Sequence, residues 1–244
     1  MKNFLVKIRM LFWLLLLHPI SAIKACFGKY PSEIDFDYVA KFIDASNPVI
    51  VEAGAFNGDD TYRFLQYFPA CRIFALEPIP SLFEKLLVRF SGEKNLVLIP
   101  SALVGSCEKN VRIWTNQSGN PHSASSILQP GSVRDVYPGL DFDKSIEVDA
   151  LDLDSLVASQ KIKKIDLLWL DLQGAELDVM SGSEDALRIV NLIHVEVNRK
   201  ALYKSGATFR EVNKFLDTAG FMLLKLNMPF LSGNALYLRK SIRG

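Results

Sequence analysis

Val49-Ile-Val-Glu-Ala-Gly-Ala-Phe-Asn-Gly-Asp-Asp-Thr61 decides the fold. Its first five residues are a short apolar run rich in β-branched side chains, which predicts a strand. Gly54 and Gly58 interrupt it, and a helical pattern begins at Asp59 and runs to Phe68, with Tyr62, Leu65 and Phe68 on one face. A strand that turns this sharply into a helix needs glycine, because a backbone without Cβ takes positive φ freely and lets a ligand lie against the turn. A second apolar run, Arg72 to Leu76, ends in Glu77, about 20 residues beyond the glycines, where a doubly wound fold places the carboxylate that holds ribose hydroxyls. Glu52, Gly54, Gly58 and Glu77 therefore predict a nucleoside site.

The acids narrow the ligand. The dinucleotide fingerprint Gly-x-Gly-x-x-Gly is absent, and the first turn of the helix carries Asp59 and Asp60. A pyrophosphate seeks the unpaired N–H groups and positive dipole of such a turn, and two carboxylates repel it. A ligand with an amino group and a sulfonium, such as S-adenosylmethionine, tolerates them. Asp59 and Asp60 also suit plain helix capping, so both readings of that pair stay open.

Length and composition ask for no second domain. A chain of 244 residues, 49% apolar, suffices for a single α/β domain with a sizeable core. Twenty-eight basic against twenty-seven acidic residues leave a formal charge of +1, without the basic footprint of a nucleic-acid partner. Cys26, Cys71 and Cys107 are scattered and lack Cys-x-x-Cys spacing, which argues against a disulfide framework or zinc site and fits a reducing compartment. Residues 1–26 stand apart from the domain expected over 27–244. Lys2, Lys7 and Arg9 precede the apolar run Met10 to Leu17, which is too short for a spanning helix. A helix lying in a membrane interface and a helix packed on the domain are the two leading readings, with a cleaved signal or anchor third. The expected location is cytoplasmic, with peripheral membrane contact through residues 1–25 under the first reading.

Outward from the opening motif, strands and helices alternate. Leu82, Phe83, Leu86, Leu87 and Phe90 recur at helical spacing, and Leu96 to Pro100 is a third strand ending in Ser101-Ala102, where an adenine would lie. Val111 to Thr115 and Ser145 to Ala150 read as strands. Gln117 to Gly139, between them, is the longest irregular segment, of the kind that often forms a lid or substrate-binding insertion. Ile165 to Leu172 is a near-continuous apolar run, expected of a central parallel strand buried on both faces, with Asp171 near its end. Leu192 to Val197 repeats the theme with Glu196 at its tip, and Thr208 to Ala219 is a helix stopped by Gly220. Phe221 to Leu226 and Ala235 to Arg239 are two last strands. The economical fold is α/β, an open, doubly wound, mostly parallel sheet with helices on both faces. Its ligands bind outside the carboxyl ends of the strands, where Glu52, Glu77, Asp171 and Glu196 fall.

From Val49 onward the sequence resembles the FkbM family of S-adenosylmethionine-dependent methyltransferases. That family's first motif, roughly Asp-x-Gly-Ala-Asn-x-Gly-x-x-Thr, is matched by Glu52, Gly54, Ala55, Gly58 and Thr61, with Phe56 at the asparagine. Its Glu-Pro pair matches Glu77-Pro78, its Leu-Asp matches Leu151-Asp152, and its block Lys-Ile-Asp-x-Glu-Gly-x-Glu aligns with Trp169 to Glu176. Departures fall at Phe56, at Leu170 in place of the lysine, and at Gln173, an amide where the family has an acid. The resemblance implies a seven-stranded Rossmann-like fold and methyl transfer to a hydroxyl of a sugar or other small metabolite. It also implies cofactor contacts from Glu52, Gly54, Ala55, Gly58, Thr61, Glu77, Ser101 and Ala102. The departures keep a noncatalytic nucleoside-binding module as the rival reading; a nicotinamide-dependent oxidoreductase is disfavoured by the missing third glycine.

Methyl transfer is an in-line displacement, so alignment and exclusion of water are the main tasks, with a base if the acceptor is a hydroxyl. Asp171 is the first candidate for that base or for an acceptor anchor, and Glu176 the second, although each also suits a structural role at a helix start. His122, in the irregular segment, is the third. His194, two residues before Glu196, reads more plainly as a core histidine. No His/Cys spacing supports a metal, and none is expected.

Overall fold

A computed structural model describes residues 33–44, 46–106, 108–118 and 121–243. The expectations for residues 1–26, Cys26 and Cys107 lie outside the described residues.

The opening motif's strand, β1 (Val49–Ala53), lies between β2 (Arg72–Leu76) and β7 (Ile165–Leu170) and is parallel to both. All six residues of β7 are buried, as a continuous apolar run covered on both faces requires. β3 (Leu96–Ile99) closes one edge, and β8 (Val190–Asn198), β10 (Ser232–Arg239) and β9 (Phe221–Asn227) extend the other, giving the order β3-β2-β1-β7-β8-β10-β9. β10 runs antiparallel to both its neighbours, β8 and β9. The order reverses between β1 and β7, which opens a crevice at their carboxyl ends.

Side chains that alternate along each strand supply two cores. Val51, Leu168 and Ile193 belong to one cluster; Ile50, Leu167 and Leu192 belong to the other. The first core packs α5 (Leu153–Gln160), α6 (Glu176–Ser181), α7 (Glu184–Leu187) and α8 (Phe209–Thr218); the second packs α1 (Phe36–Ala40), α2 (Asp59–Tyr67) and α3 (Pro80–Arg89). Fully burying each such side chain contributes about 1.5–3 kcal/mol, which makes the two-sided burial the main support of the sheet.

Departures from the sequence reading concern two short helices it did not anticipate, α1 and α7, and the middle of the chain. β5 (Asn110–Thr115) and β6 (Lys144–Asp152), both anticipated, pair with β4 (Ala102–Val104) in a separate three-stranded sheet, order β4-β6-β5. β4 has three residues, too few to display a period of two, and it follows β3 so closely that the two read as one strand with a tail. α4 (Val133–Val136) sits inside the segment anticipated as irregular, and at four residues it also falls below any readable period. A short 3₁₀ turn spans Lys240–Arg243. Among the described residues no helix is long and apolar enough to cross a membrane.

Candidate functional site

The site grows from the contact between the tips of β1 and β7. The Asp171 N–H donates to the Ala53 carbonyl at 3.1 Å, and a Cβ at Gly54 would collide with the Asp171 carbonyl oxygen. Gly54, at φ +91°, lets the tips close, while its own N–H and that of Ala55 donate to Leu76 O at 3.1 and 3.0 Å. Gly58, at φ +81°, precedes α2 where a Cβ would strike Leu86 of α3 and Phe90 at that helix's end. Both glycines thus serve close packing of protein on protein.

A cleft follows along the strand ends. Gly54, Phe56, Glu77, Ser101 and Ala102 line it together with His122 and Ser126, from a loop termed the roof, and with Asp171 and Gln173. Glu77 is 4% exposed. Its Oε2 accepts from Phe56 N at 2.8 Å and its Oε1 from Ile79 N at 2.9 Å. Burial pushes its pKa up to about 7 against the pull of those two bonds. A carboxylate offers about four acceptor positions, so capacity for a pair of ribose hydroxyls remains.

Half of the anticipated cofactor residues lie beneath the cleft. Glu52 is buried and accepts from Thr61 Oγ1 at 2.6 Å, tying the first turn of α2 to β1. Its pKa rises to about 8, chiefly through burial. Ala55, Gly58 and Thr61 are buried around the same turn. Glu52, Ala55, Gly58 and Thr61 shape the turn, whereas Gly54, Glu77, Ser101 and Ala102 line the cleft. Phe56 lines it too, and it occupies positive φ, +50°, where a β-carbon is strained. The family's asparagine at this position is a residue that accepts such a backbone, a signal that could have placed Phe56 in the turn.

The acids of the first turn divide. Asp59 pairs with Arg89 at 2.7 Å and accepts from Asn57, which together hold its pKa below the usual range. Asp60 pairs with Arg63 at 3.1 Å, and burial raises it to about 6. It faces a second, acidic pocket with Glu33, Asp171, His194 and Glu196.

Asp171 is open to the cleft yet enclosed by protein, and that desolvation raises its pKa; a hydrogen bond from Gln173 Nε2 at 2.6 Å opposes the rise. Gln173 sits at φ +54°, and its Oε1 lies 3.3 Å from the Tyr203 hydroxyl, which donates to Ala124 O at 2.7 Å. Glu176 does not line the cleft. Its carboxylate accepts from Leu172 N at 2.9 Å and Gly174 N at 3.0 Å, so it fixes the turn that carries Asp171 and Gln173. Burial moves it up to about 7. His122 lines the cleft at φ +69° with Nδ1 buried and unpaired, and burial lowers its pKa. The roof is pinned to the β7 tip where Ser126 Oγ donates to Gln173 O at 3.0 Å. His194 is buried and stacks on Trp169 with ring centroids 3.5 Å apart, and burial drives its pKa down to about 3. Such an imidazole stays neutral at physiological pH, as a core histidine does.

The sequence profile described as Methyltransferase FkbM domain matches residues 52–223. The chain belongs to the FkbM methyltransferase family. Among characterised relatives, the 2-O-methyltransferase NoeI of Sinorhizobium fredii is 28% identical over 186 residues, covering 74% of this chain and 75% of that protein. Solved structures similar to this one include a Methanococcus jannaschii fibrillarin pre-rRNA processing protein at 11% identity and TM-score 0.49, covering 80% of this chain and 67% of that one. An rRNA methylase from Streptococcus thermophilus follows at 13% identity and TM-score 0.45, covering 86% and 97%. Aligned on Asp171, the FkbM block puts Trp169 at the family's lysine and Leu170 at its isoleucine, which corrects the expectation that Leu170 is the departure. This FkbM methyltransferase therefore replaces a strand-tip cation with an indole stacked on His194.

Proposed function

We propose that the cleft between β1, β2 and β7 binds S-adenosylmethionine and that the enzyme methylates a hydroxyl oxygen of a small molecule. The observation that carries this is the position of Glu77, a carboxylate at the β2 tip facing the same cleft as Gly54 and Asp171. The chemistry of the lining suits the cofactor: Glu77 for the ribose, Leu76, Ile79 and Leu82 beside Ser101 and Ala102 for the adenine. Bound there, the cofactor would supply an electrophilic methyl on a sulfonium. Asp171 takes the proton that the acceptor oxygen releases as it becomes alkylated, and Gln173 holds that carboxylate in place. The roof from His122 to Ser126 keeps water from the reacting oxygen. Glu176 acts at one remove, through the turn it fixes. His122 is assigned to the roof, as its unpaired Nδ1 suits a contact with bound ligand.

Calorimetric titration with S-adenosylhomocysteine and with NAD tests the reading. S-adenosylhomocysteine should bind, and Glu77→Gln should weaken it about tenfold, the worth of one charge-assisted hydrogen bond. Binding of NAD alone would overturn the assignment. For residues 1–25, the basic residues before Met10 support peripheral contact with an anionic bilayer. Loss of liposome flotation on deleting them tests that; a full chain that never floats refutes it.

A further inference from the structure

A chamber behind Gln173 has no role in the cofactor cleft. Val133, Tyr137, Leu140 and Leu202 wall it, and Gln173 and Ala124 are shared with the cleft. Its far end is polar. Asn198 is 3% exposed with Oδ1 unpaired, and Glu196 has Oε2 buried and unpaired. A buried acceptor without a donor carries a desolvation cost of about 1–3 kcal/mol, and two in one chamber call for a ligand that brings donors. None of the described residues lining the chamber is a lysine or arginine, whereas Asp171 and Glu176 lie close enough to Glu196 to repel negative charge.

We propose that this chamber is the acceptor site, and that it takes an uncharged ring whose hydroxyls donate to Asn198 Oδ1 and Glu196 Oε2 and whose apolar face lies on Tyr137 and Leu140. The proposal rests on the methyltransferase reading of the neighbouring cleft. The reacting hydroxyl then extends past Gln173, which lines both spaces, into the cleft beside Asp171. An anion would find no lysine or arginine among the described residues of the lining. Burial and the neighbouring carboxyls raise Glu196 well above the usual carboxylate range, which weakens its hold on an ammonium group.

Saturation-transfer NMR on the full chain tests this, with a panel of uncharged methyl hexosides beside the matching hexuronates and hexosamines, each with and without S-adenosylhomocysteine. Two variants address the chamber: Asn198→Leu removes an acceptor at similar volume, and Leu140→Trp, at a half-buried position, fills the space. At least one uncharged hexoside should bind, and both variants should weaken it about tenfold or more while S-adenosylhomocysteine affinity stays unchanged. Equal binding by wild type and variants, preference for the charged sugars, or no binding anywhere in the panel would each overturn the proposal. If S-adenosylhomocysteine fails to bind while a hexoside binds and is lost in both variants, the methyltransferase reading of the cleft falls and the chamber remains a carbohydrate site.

Discussion

Gln173 Nε2 donates to Asp171 Oδ1 at 2.6 Å across the turn that follows β7. The bond stabilises the charged form of Asp171 in an enclosure that otherwise favours the neutral acid. An amide at this position, where the family carries an acid, therefore keeps a neighbouring carboxylate ready to accept a proton. Gln173→Glu would set a second carboxyl against it and should raise the acid limb of the kcat/KM profile by about one pH unit or more, as for carboxylates sharing a site. An unmoved limb would show that the amide does not tune Asp171.

Asp171→Asn keeps size and hydrogen bonding but removes the carboxylate proposed as the base. Turnover should fall on the order of 10²-fold or more, the usual worth of a general base, with S-adenosylhomocysteine affinity little changed. Near-normal conversion of S-adenosylmethionine in the variant would exclude the base role.

Glu52 and Glu77 give folding stability and ligand affinity opposite responses to acid. Both have folded pKa values raised from 4.5, to about 8 and about 7. Their protonated forms favour the folded state, so this stability is fully present below about pH 4.5 and is lost as pH rises towards 8. The unliganded protein should melt higher at pH 6 than at pH 8, and Glu52→Gln, whose amide oxygen still accepts from Thr61, should remove much of the difference. Ligand affinity should run the other way, since ribose hydroxyls need the Glu77 carboxylate. Titrations at both pH values check this, with Glu77→Gln flattening the dependence.

Gly54 and Gly92 share a left-handed backbone, φ +91° and +86°, but a Cβ at 92 meets nothing within 4 Å while one at 54 meets Asp171. Gly92→Ala should cost about 1–2 kcal/mol in a urea melt, the strain alone. Gly54→Ala must also part the tips of β1 and β7, and should cost clearly more and abolish S-adenosylhomocysteine binding. Equal costs would mean the tips separate freely.

Phe56 at φ +50° holds strain that the family's asparagine would relieve. Phe56→Asn should raise stability by about 1 kcal/mol, read from the denaturant midpoint. A lower midpoint would mean that the ring's packing at the cleft outweighs the backbone.

The central sheet was legible because β1, β2, β3 and β7 are runs of apolar residues closed by glycine, proline or an acid, and Asp171 stood out because a charge ended the most apolar run of all. The site was legible only in outline. Glu52 reads like Glu77, an acid near a strand tip, but Thr61 draws it beneath the turn, and no local pattern reveals which way a carboxylate faces. Glu176 likewise looked like a reactive acid and proved to be bonded to the backbone of its own turn. The chamber behind Gln173 was illegible because its walls come from α4, from the loop near Leu202 and from β10, segments far apart in the chain whose meeting depends on tertiary packing.

β10 follows β9 in the chain but lies between β9 and β8. During synthesis the long apolar strand β8 must wait, with one edge unpaired, until Ser232 to Arg239 emerge from the ribosome. An uncovered apolar edge is a template for aggregation, so the nascent enzyme is exposed to misassembly until β10 arrives. The same delay orders the assembly of its parts: the cleft made by β1, β2 and β7 can form first, and the chamber, which includes Ser232, closes only when the sheet does.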